Sequence, residues 1–137
     1  MLTKFWLTVV FLFAVVPPLH SDQVRLSNGD RVSGKIVSKD GDILKVKTDL
    51  MGEVSIPWKS VESVSTEDPL TVVLTAGTPL YGKLNIEEKK VEVATISSTR
   101  SAPVSDLVAI RDKETQEQHE RLENPGLLDL WEGYVDV

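Results

Sequence analysis

Cysteine is absent from this 137-residue chain, and histidine occurs only twice, as His20 and His119. The absence of thiols excludes disulfide frameworks, thiolate zinc sites and cysteine nucleophiles. A metal site needs several converging donors, and a hydrolase triad needs its base within hydrogen-bond reach of the nucleophile. His119 lies on a polar stretch far along the chain from the main body, which fits a surface residue. We therefore expect no catalytic, metal-binding or cofactor-binding residues, and a non-enzymatic function.

Long apolar stretches are also lacking, with one exception at the N-terminus. Lys4 is followed by Phe5–Val16, an uncharged and mainly apolar run of 12 residues, and then by a proline pair. A helix that spans a bilayer needs roughly 20 apolar residues, whereas a positive start and a short apolar run are typical of secretory signals. The sequence predicts a signal peptide at residues 1–21, cleaved after Ser21, and export to the periplasm or outer membrane. A retained membrane anchor is the alternative.

An excess of basic residues is lacking as well. The formal net charge is −6 and the sequence pI is about 4.9. Residues 22–111 hold 13 acidic and 12 basic side chains, for a net of −1, and residues 112–137 hold 8 and 2, for a net of −6. A nucleic-acid binder is expected to have a basic face or a high pI. We expect no nucleic-acid partner, although an Sm-like nucleic-acid-binding protein remains the alternative if the chain is not exported.

The main body of the chain contains an internal repeat. Residues 24–36 (VRLSNGDRVSGKI) match residues 72–84 (VVLTAGTPLYGKL) at a shift of 48, since the glycines at 29 and 77 align. The ends also match, residues 55–61 against residues 101–107, now at a shift of 46 between the prolines at 57 and 103. Matching openings and matching ends in units this short indicate a tandem duplication.

Each repeat, residues 22–66 and residues 67–111, has the pattern of short strands joined by tight turns. Apolar residues alternate with polar ones, which is the period of half-buried strands. Asn28-Gly29 is a hairpin dipeptide that tolerates positive φ. Gly34 and Gly82 fall inside strands, where glycine marks a sharp bend or a close backbone approach. The fold class predicted from these features is all-β.

The order of elements within a repeat resembles a known small barrel. Pro57 ends the fourth strand, Lys59-Ser60 fits a single helical turn, and a last short strand follows at Glu62–Thr66. Five short strands with a helical turn before the fifth are the plan of SH3-like and Sm-like barrels. The segment Leu26–Gly34, L-x-N-G-x-x-x-x-G, resembles the Sm-like proteins in particular.

A unit of about 45 residues is near the size at which a lone domain buries too little surface. We therefore expect two tandem SH3-like or Sm-like barrels packed together, and the sequence leaves open whether they merge into one. Trp58 is a candidate for the seam between them or for a plug at one end of the core. Its counterpart in the second repeat is Val104, so the two repeats are not interchangeable.

The chain changes character after Ile110. Residues 112–124 are rich in helix formers, with Asp112 as a candidate N-cap and Glu117–Arg121 as an i,i+4 pair. Leu122 is the only apolar residue from Asp112 to Leu122, so we expect a solvated polar spacer helix. Glu114 and Glu120 lie with Glu117 on one side of it, a solvated acidic face.

The last segment, residues 125–137, predicts one strand of a membrane β-barrel. From Trp131 the residues alternate between apolar and polar, with an aromatic at the start. The run LENPGLLDLWEG at residues 122–133 resembles the entry segment of the salt-induced outer-membrane β-barrel proteins of Gram-negative bacteria. Members of that family also carry an N-terminal module with the N-G-D-x-x-x-G and I-P-W-x-x-V signatures found here at Asn28–Gly34 and Ile56–Val61.

This resemblance implies a periplasmic β module that precedes an outer-membrane barrel of uncharacterised function. The chain ends within the first barrel strand, so we expect a truncated form whose membrane association depends on the missing barrel. An envelope component or an outer-membrane protein is the expected partner. Four basic residues have outward parity and could bind an anionic envelope polymer, although solvent-facing side chains that protect strand edges are the commoner explanation; they are Arg31, Lys35, Lys45 and Lys47.

Overall fold

The computed structural model describes residues 21–126 of the chain. The predicted signal peptide, residues 1–21, lies outside the described residues except for Ser21, and so does the predicted membrane strand, residues 125–137, except for its first two residues. The strands are β1 (Asp22–Leu26), β2 (Arg31–Asp40), β3 (Ile43–Thr48), β4 (Gly52–Pro57), β5 (Val61–Ser65), β6 (Leu70–Leu74), β7 (Leu80–Glu87), β8 (Lys90–Ala94), β9 (Thr99–Pro103) and β10 (Leu107–Arg111). Single 3₁₀ turns, Trp58–Ser60 and Val104–Asp106, precede β5 and β10, and the helix α1 is Lys113–Glu123.

Six antiparallel strands close into one barrel. Their order is β1–β5–β7–β6–β10–β2, and β2 pairs with β1 to complete the circle. We call residues 22–66 the first half and residues 67–111 the second half. Each half contributes three barrel strands, and the last strand of each half pairs with the second strand of the other, β5 with β7 and β10 with β2.

This arrangement differs from the expected pair of barrels, one in each half. The described residues form a single closed barrel, and the sequence had left that question open. The physical reason is the exchange of strand partners. Because β5 lies between β1 and β7, and β10 lies between β6 and β2, each half reaches closure only through strands of the other.

Two side sheets extend from the barrel, and a glycine bends the strand that joins each one to it. Residues 31–34 of β2 pair with β1, whereas the later part of β2 pairs with β3. A Cβ added to Gly34 would collide with the carbonyl oxygen of Lys47 on β3, and one added to Gly82 in β7 would collide with that of Ala94 on β8. Only glycine allows these backbones to approach so closely, so strands β2–β3–β4 and β7–β8–β9 fold against the barrel at these points.

The core is aliphatic and continuous across both halves. Alternation is regular in β3 and β7, where every second side chain is buried. One cluster contains all the large buried apolar side chains of the barrel and side sheets. Its members are Val24, Ile36, Leu44, Val46, Ile56, Val64, Leu70, Val72, Leu84, Ile86, Val91, Val93, Leu107 and Ile110.

The polar helix α1 follows the barrel and begins where the sequence predicts. Asp112 is its N-cap, because the Asp112 carboxylate accepts a hydrogen bond of 2.8 Å from the backbone N–H of Thr115. The backbone N–H of Asp112 itself donates to Val37 on β2 at 2.9 Å. The helix has no buried residue, and Leu122 is exposed. The helix is therefore attached to the barrel through its first turn.

The ion pairs of α1 differ from the expected one. Lys113 pairs with Glu117 at 3.9 Å and His119 with Glu123 at 3.2 Å, whereas Glu117–Arg121 is not among the pairs of the described residues. Within residues 21–126 the structure contains no helix with the length and hydropathy of a membrane span.

Candidate functional site

Two strands of the described chain have one backbone edge without a strand partner. The strand β4 pairs only with β3, and β9 pairs only with β8. An unpaired edge presents a row of N–H and C=O groups that a further strand can use. Pro57 and Pro103 end these strands and keep the edges short.

The hairpins that carry these edges expose large apolar side chains at their tips. Leu50 and Met51, between β3 and β4, are 98% and 70% exposed, and Ile96, between β8 and β9, is fully exposed. We call the strands β4 and β9 with these three residues the hairpin edges. The sequence signal for them was the pair Leu50-Met51 and the single Ile96 within polar turns, which the strand pattern did not single out.

A buried lysine joins the two halves at the seam between β2 and β10. Lys39 is only 5% exposed, and its Nζ lies 3.4 Å from the carbonyl oxygen of Leu107 and 3.3 Å from that of Val108. These carbonyls belong to an irregularity in β10, where Val108 is left out of the register with β6. Burial lowers the pKa of Lys39 from its ordinary value of 10.5, and Asp42 and Asp40 offset this only in part.

Trp58, in the 3₁₀ turn before β5, contacts Lys39 at this seam. The Lys39 Nζ lies 5.1 Å from the centroid of the Trp58 ring, within the range of a cation–π contact. The ring is half-buried and packs against the core. Trp58 therefore lies at the seam between the halves, one of the two places expected from the sequence.

The second seam, between β5 and β7, is built without a lysine. Ile86 stands opposite Val64 there, as Lys39 stands opposite Ile110 in the first seam. A shallow cleft of about 230 Å³ lies over this seam. Arg25 and Arg31 line it together with Glu87, so this cleft carries charged groups of both signs.

Of the four basic residues noted in the sequence, Lys35 and Lys47 stand opposite each other in the β2–β3 pair. Lys35 pairs with Asp112 at 3.4 Å and Lys45 with Glu53 at 3.7 Å. Arg31 instead stands opposite Arg25 in the β1–β2 hairpin. The sequence reading missed Arg25, although a hairpin around Asn28-Gly29 brings positions 25 and 31 into register.

The sequence predicted no catalytic, metal-binding or cofactor-binding residue. Within residues 21–126, no group of three or more His, Asp or Glu side chains is placed to hold a metal ion. His119 is half-buried on α1 and its Nε2 lies 3.2 Å from a Glu123 carboxylate oxygen. The acidic pairs Asp40/Asp42 and Glu87/Glu88 lie at the β2–β3 and β7–β8 turns, as their sequence context indicated.

Comparison of the chain with family models, curated proteins and solved structures found no match. The assignment of a function therefore depends on the residues and their arrangement.

Proposed function

We propose that this chain is a non-enzymatic interaction module of an exported, outer-membrane-associated β-barrel protein. Its hairpin edges would contact an envelope component or a partner protein in the periplasm. The observation that carries this proposal is the open edge of each of the strands β4 and β9, next to a hairpin tip with exposed apolar side chains. Exposed apolar side chains beside an open sheet edge favour association with another strand.

The start of the barrel is compatible with signal cleavage after Ser21. The strand β1 begins at Asp22, so removal of the preceding residues takes no residue from the barrel. The Asp22 carboxylate is buried and accepts hydrogen bonds from the backbone N–H groups of Ile36 at 2.9 Å and Glu67 at 3.0 Å. The export proposal itself depends on the charged start and the apolar run Phe5–Val16.

We also propose that the halves are tandem repeats with an SH3-like or Sm-like plan. Both run through four strands, a 3₁₀ turn and a fifth strand. Equivalent backbone hydrogen bonds support this proposal. They are Trp58 N–H to Asp42 O and Val104 N–H to Lys89 O, and Ser27 N–H to Ser60 O and Thr75 N–H to Asp106 O.

The position of α1 fits a spacer between this module and a membrane barrel. It leaves the module at its N-cap residue Asp112, has no apolar face and carries four acidic against two basic side chains. In the proposed arrangement, residues 125–137 begin the outer-membrane barrel whose entry segment they resemble.

The export proposal is tested by expressing the full chain in a Gram-negative host and determining its mature N-terminus by mass spectrometry. We expect the protein in the periplasmic or membrane fraction, with Asp22 as its first residue. An intact Met1 in the cytosol would contradict export and would favour the Sm-like nucleic-acid-binding alternative.

The interaction proposal is tested by affinity capture from envelope extract with the full chain. We expect a captured component whose amount falls at least severalfold when Leu50, Met51 and Ile96 are changed to serine. Leu122→Ser is the matched control, because Leu122 is equally exposed but lies on α1, and it should leave capture unchanged. Equal capture by the triple variant and the control would overturn the role of the hairpin edges.

A further inference from the structure

Two arginines stand directly opposite each other on the outer face of the barrel. Arg25 of β1 and Arg31 of β2 are register partners in the antiparallel hairpin. Side chains at such positions have Cβ atoms only about 5 Å apart, and like charges there destabilise the pair. The hairpin therefore brings two cationic side chains to one face, where both line the same cleft and a bound anion would offset their repulsion.

The protein supplies one carboxylate for these two cations. Arg25 Nε lies 3.2 Å from a Glu62 carboxylate oxygen, close enough for an ion pair, but this buried Nε makes no hydrogen bond of suitable geometry. Arg31 is exposed and has no carboxylate within 4 Å among residues 21–126. The Nη donors of Arg25 and the guanidinium of Arg31 make no hydrogen bond within residues 21–126, so these groups can serve a ligand.

These donors open onto the cleft over the β5–β7 seam. Its volume of about 230 Å³ suits a small group rather than a long polymer. Neutral polar side chains complete the lining, and one of them, Ser63, stands opposite Arg25; they are Gln23, Ser63, Ser65 and Asn85. Glu87 borders the cleft as well, and its charge disfavours a polyanion that would run the whole length.

The fold itself does not require the arginine pair. In the second half, the β6–β7 hairpin has the same register, with Val72 opposite Leu80 where the first half has Val24 opposite Val32. The positions that correspond to Arg25 and Arg31 at the shift of 48 are Val73 and Pro79. The β6–β7 hairpin therefore forms without an arginine at either position.

We propose that this cleft binds a single carboxylate or phosphate group of a small ligand, with Arg25 and Arg31 as the anion-binding residues. The planar guanidinium fork matches both oxyanions and can bind either in a bidentate manner. The serine hydroxyls and the amides would hydrogen-bond the polar remainder of the ligand. This proposal is independent of export and of the hairpin edges.

The test is calorimetric titration of the full chain with two probes. They are inorganic phosphate and N-acetyl-Ala-Ala, a blocked dipeptide whose one charge is its terminal carboxylate. We expect at least one probe to bind, and the tighter one identifies the source of the anion. Arg31→Gln should weaken binding about tenfold or more, since a hydrogen bond to a charged group contributes about that factor. Arg31→Lys keeps the charge but loses the planar guanidinium fork, so its affinity for the probe should lie between those of the wild type and Arg31→Gln.

Arg100→Gln is the matched control. Arg100 is also an exposed strand arginine without an ion pair in the described part of the chain, and it lies on β9 away from this cleft. Absence of binding by both probes at millimolar concentration, or equal weakening by Arg31→Gln and Arg100→Gln, would overturn the proposal.

A second measurement on the unaltered protein covers the case in which a variant fails to fold. The bound probe should protect Arg25 and Arg31, but not Arg100, from an arginine-selective dicarbonyl reagent. Peptide mass spectrometry reads the modification at each site. Equal protection of all three arginines, or protection of none, would contradict the site.

Discussion

The ammonium group of Lys39 lies over the ring of Trp58, 5.1 Å from its centroid, and donates to carbonyls of β10. The two residues come from different elements of the first half, and the carbonyls come from the second. A buried cation and an aromatic side chain thus secure one seam of the barrel, while aliphatic packing of Ile86 and Val64 forms the other.

Lys39 should give the stability of the protein a distinctive pH dependence. Burial lowers its pKa in the folded state below the ordinary value of 10.5, so the unfolded chain binds more protons between these two values. Stability contributed by this group therefore rises with pH through that window and levels off above 10.5. In urea titrations at a series of pH values below and above 10.5, the wild type should gain free energy of unfolding relative to Lys39→Met as the pH rises.

Lys45→Met is the control for this measurement, because Lys45 is exposed on β3 and pairs only with Glu53. Its difference from the wild type should change much less with pH. If the wild type instead lost free energy of unfolding relative to Lys39→Met as the pH rises, Lys39 would not be desolvated at the seam.

Gly34 and Gly82 should be intolerant of even one added methyl group. Alanine at either position forces its Cβ against a backbone carbonyl, that of Lys47 or Ala94, and a carbonyl in a strand cannot move as a side-chain end can. We expect Gly34→Ala and Gly82→Ala each to lower the free energy of unfolding by about 2 kcal/mol or more. Chemical denaturation measures the effect, and the exposed neighbour Ser33→Ala should cost much less.

The β7–β8 turn should be open to stabilisation. Glu88 and Lys89 have φ values of 50° and 61°, in the left-handed region that disfavours most side chains. Asn at 88 with Gly at 89 provides the residues that such two-residue hairpin turns prefer. The double change should raise the free energy of unfolding by about 1–2 kcal/mol, whereas alanine at both positions should give no comparable gain. A lower melting temperature of the Asn-Gly variant would contradict this reading of the turn.

The Asp22 carboxylate should be needed at the start of the barrel. Both of its oxygens accept backbone N–H groups, from Ile36 and Glu67. Asp22→Asn keeps the shape but replaces one acceptor with a donor, which leaves an N–H group without its partner. We expect a loss of about 1–3 kcal/mol in thermal or urea unfolding. Asp68→Asn, at an exposed position between β5 and β6, should have little effect.

Much of the local structure was predictable because it depends on neighbouring residues. Asn28-Gly29 and Gly41 mark turns through their tolerance of positive φ, and both glycines adopt it. Pro57 ends β4, and Asp112 caps α1 as the helix signals indicated. Such features are set by a few residues of sequence and need no knowledge of distant partners.

The burial of Lys39 could not be predicted, because an irregularity changes the alternation within β2. Register with β3 shifts between Ile36 and Ser38, so Val37 is an additional residue. Both Ser38 and Lys39 are buried as a result, although strict alternation would expose one of them. The irregularity also explains part of the change in shift between the repeats. Ile36 and Leu84 are 48 residues apart, whereas their partners Val46 and Val93 are 47 apart, because Val37 has no counterpart in the second half.

The closed barrel could not be predicted from the sequence, for a different reason. The pairings β5–β7 and β10–β2 join residues far apart along the chain, and the alternation of Val64 or Ile110 shows which side chain is buried but not which strand lies beside it. The Arg25–Arg31 pair was predictable in part. A local hairpin determines its register, whereas the cleft beside it is completed by residues of β5 and β7, which are distant in sequence.

The exchange of partners between the halves also bears on how the chain is made. The strand β10 occupies the gap between β6 and β2 and is the last strand of the barrel to leave the ribosome. Until residues 107–111 emerge, β2 keeps an open flank and the earlier strands cannot complete their circle. Closure of the barrel must therefore wait for nearly the whole module to be translated, and a nascent chain arrested before Leu107 would remain open at that flank.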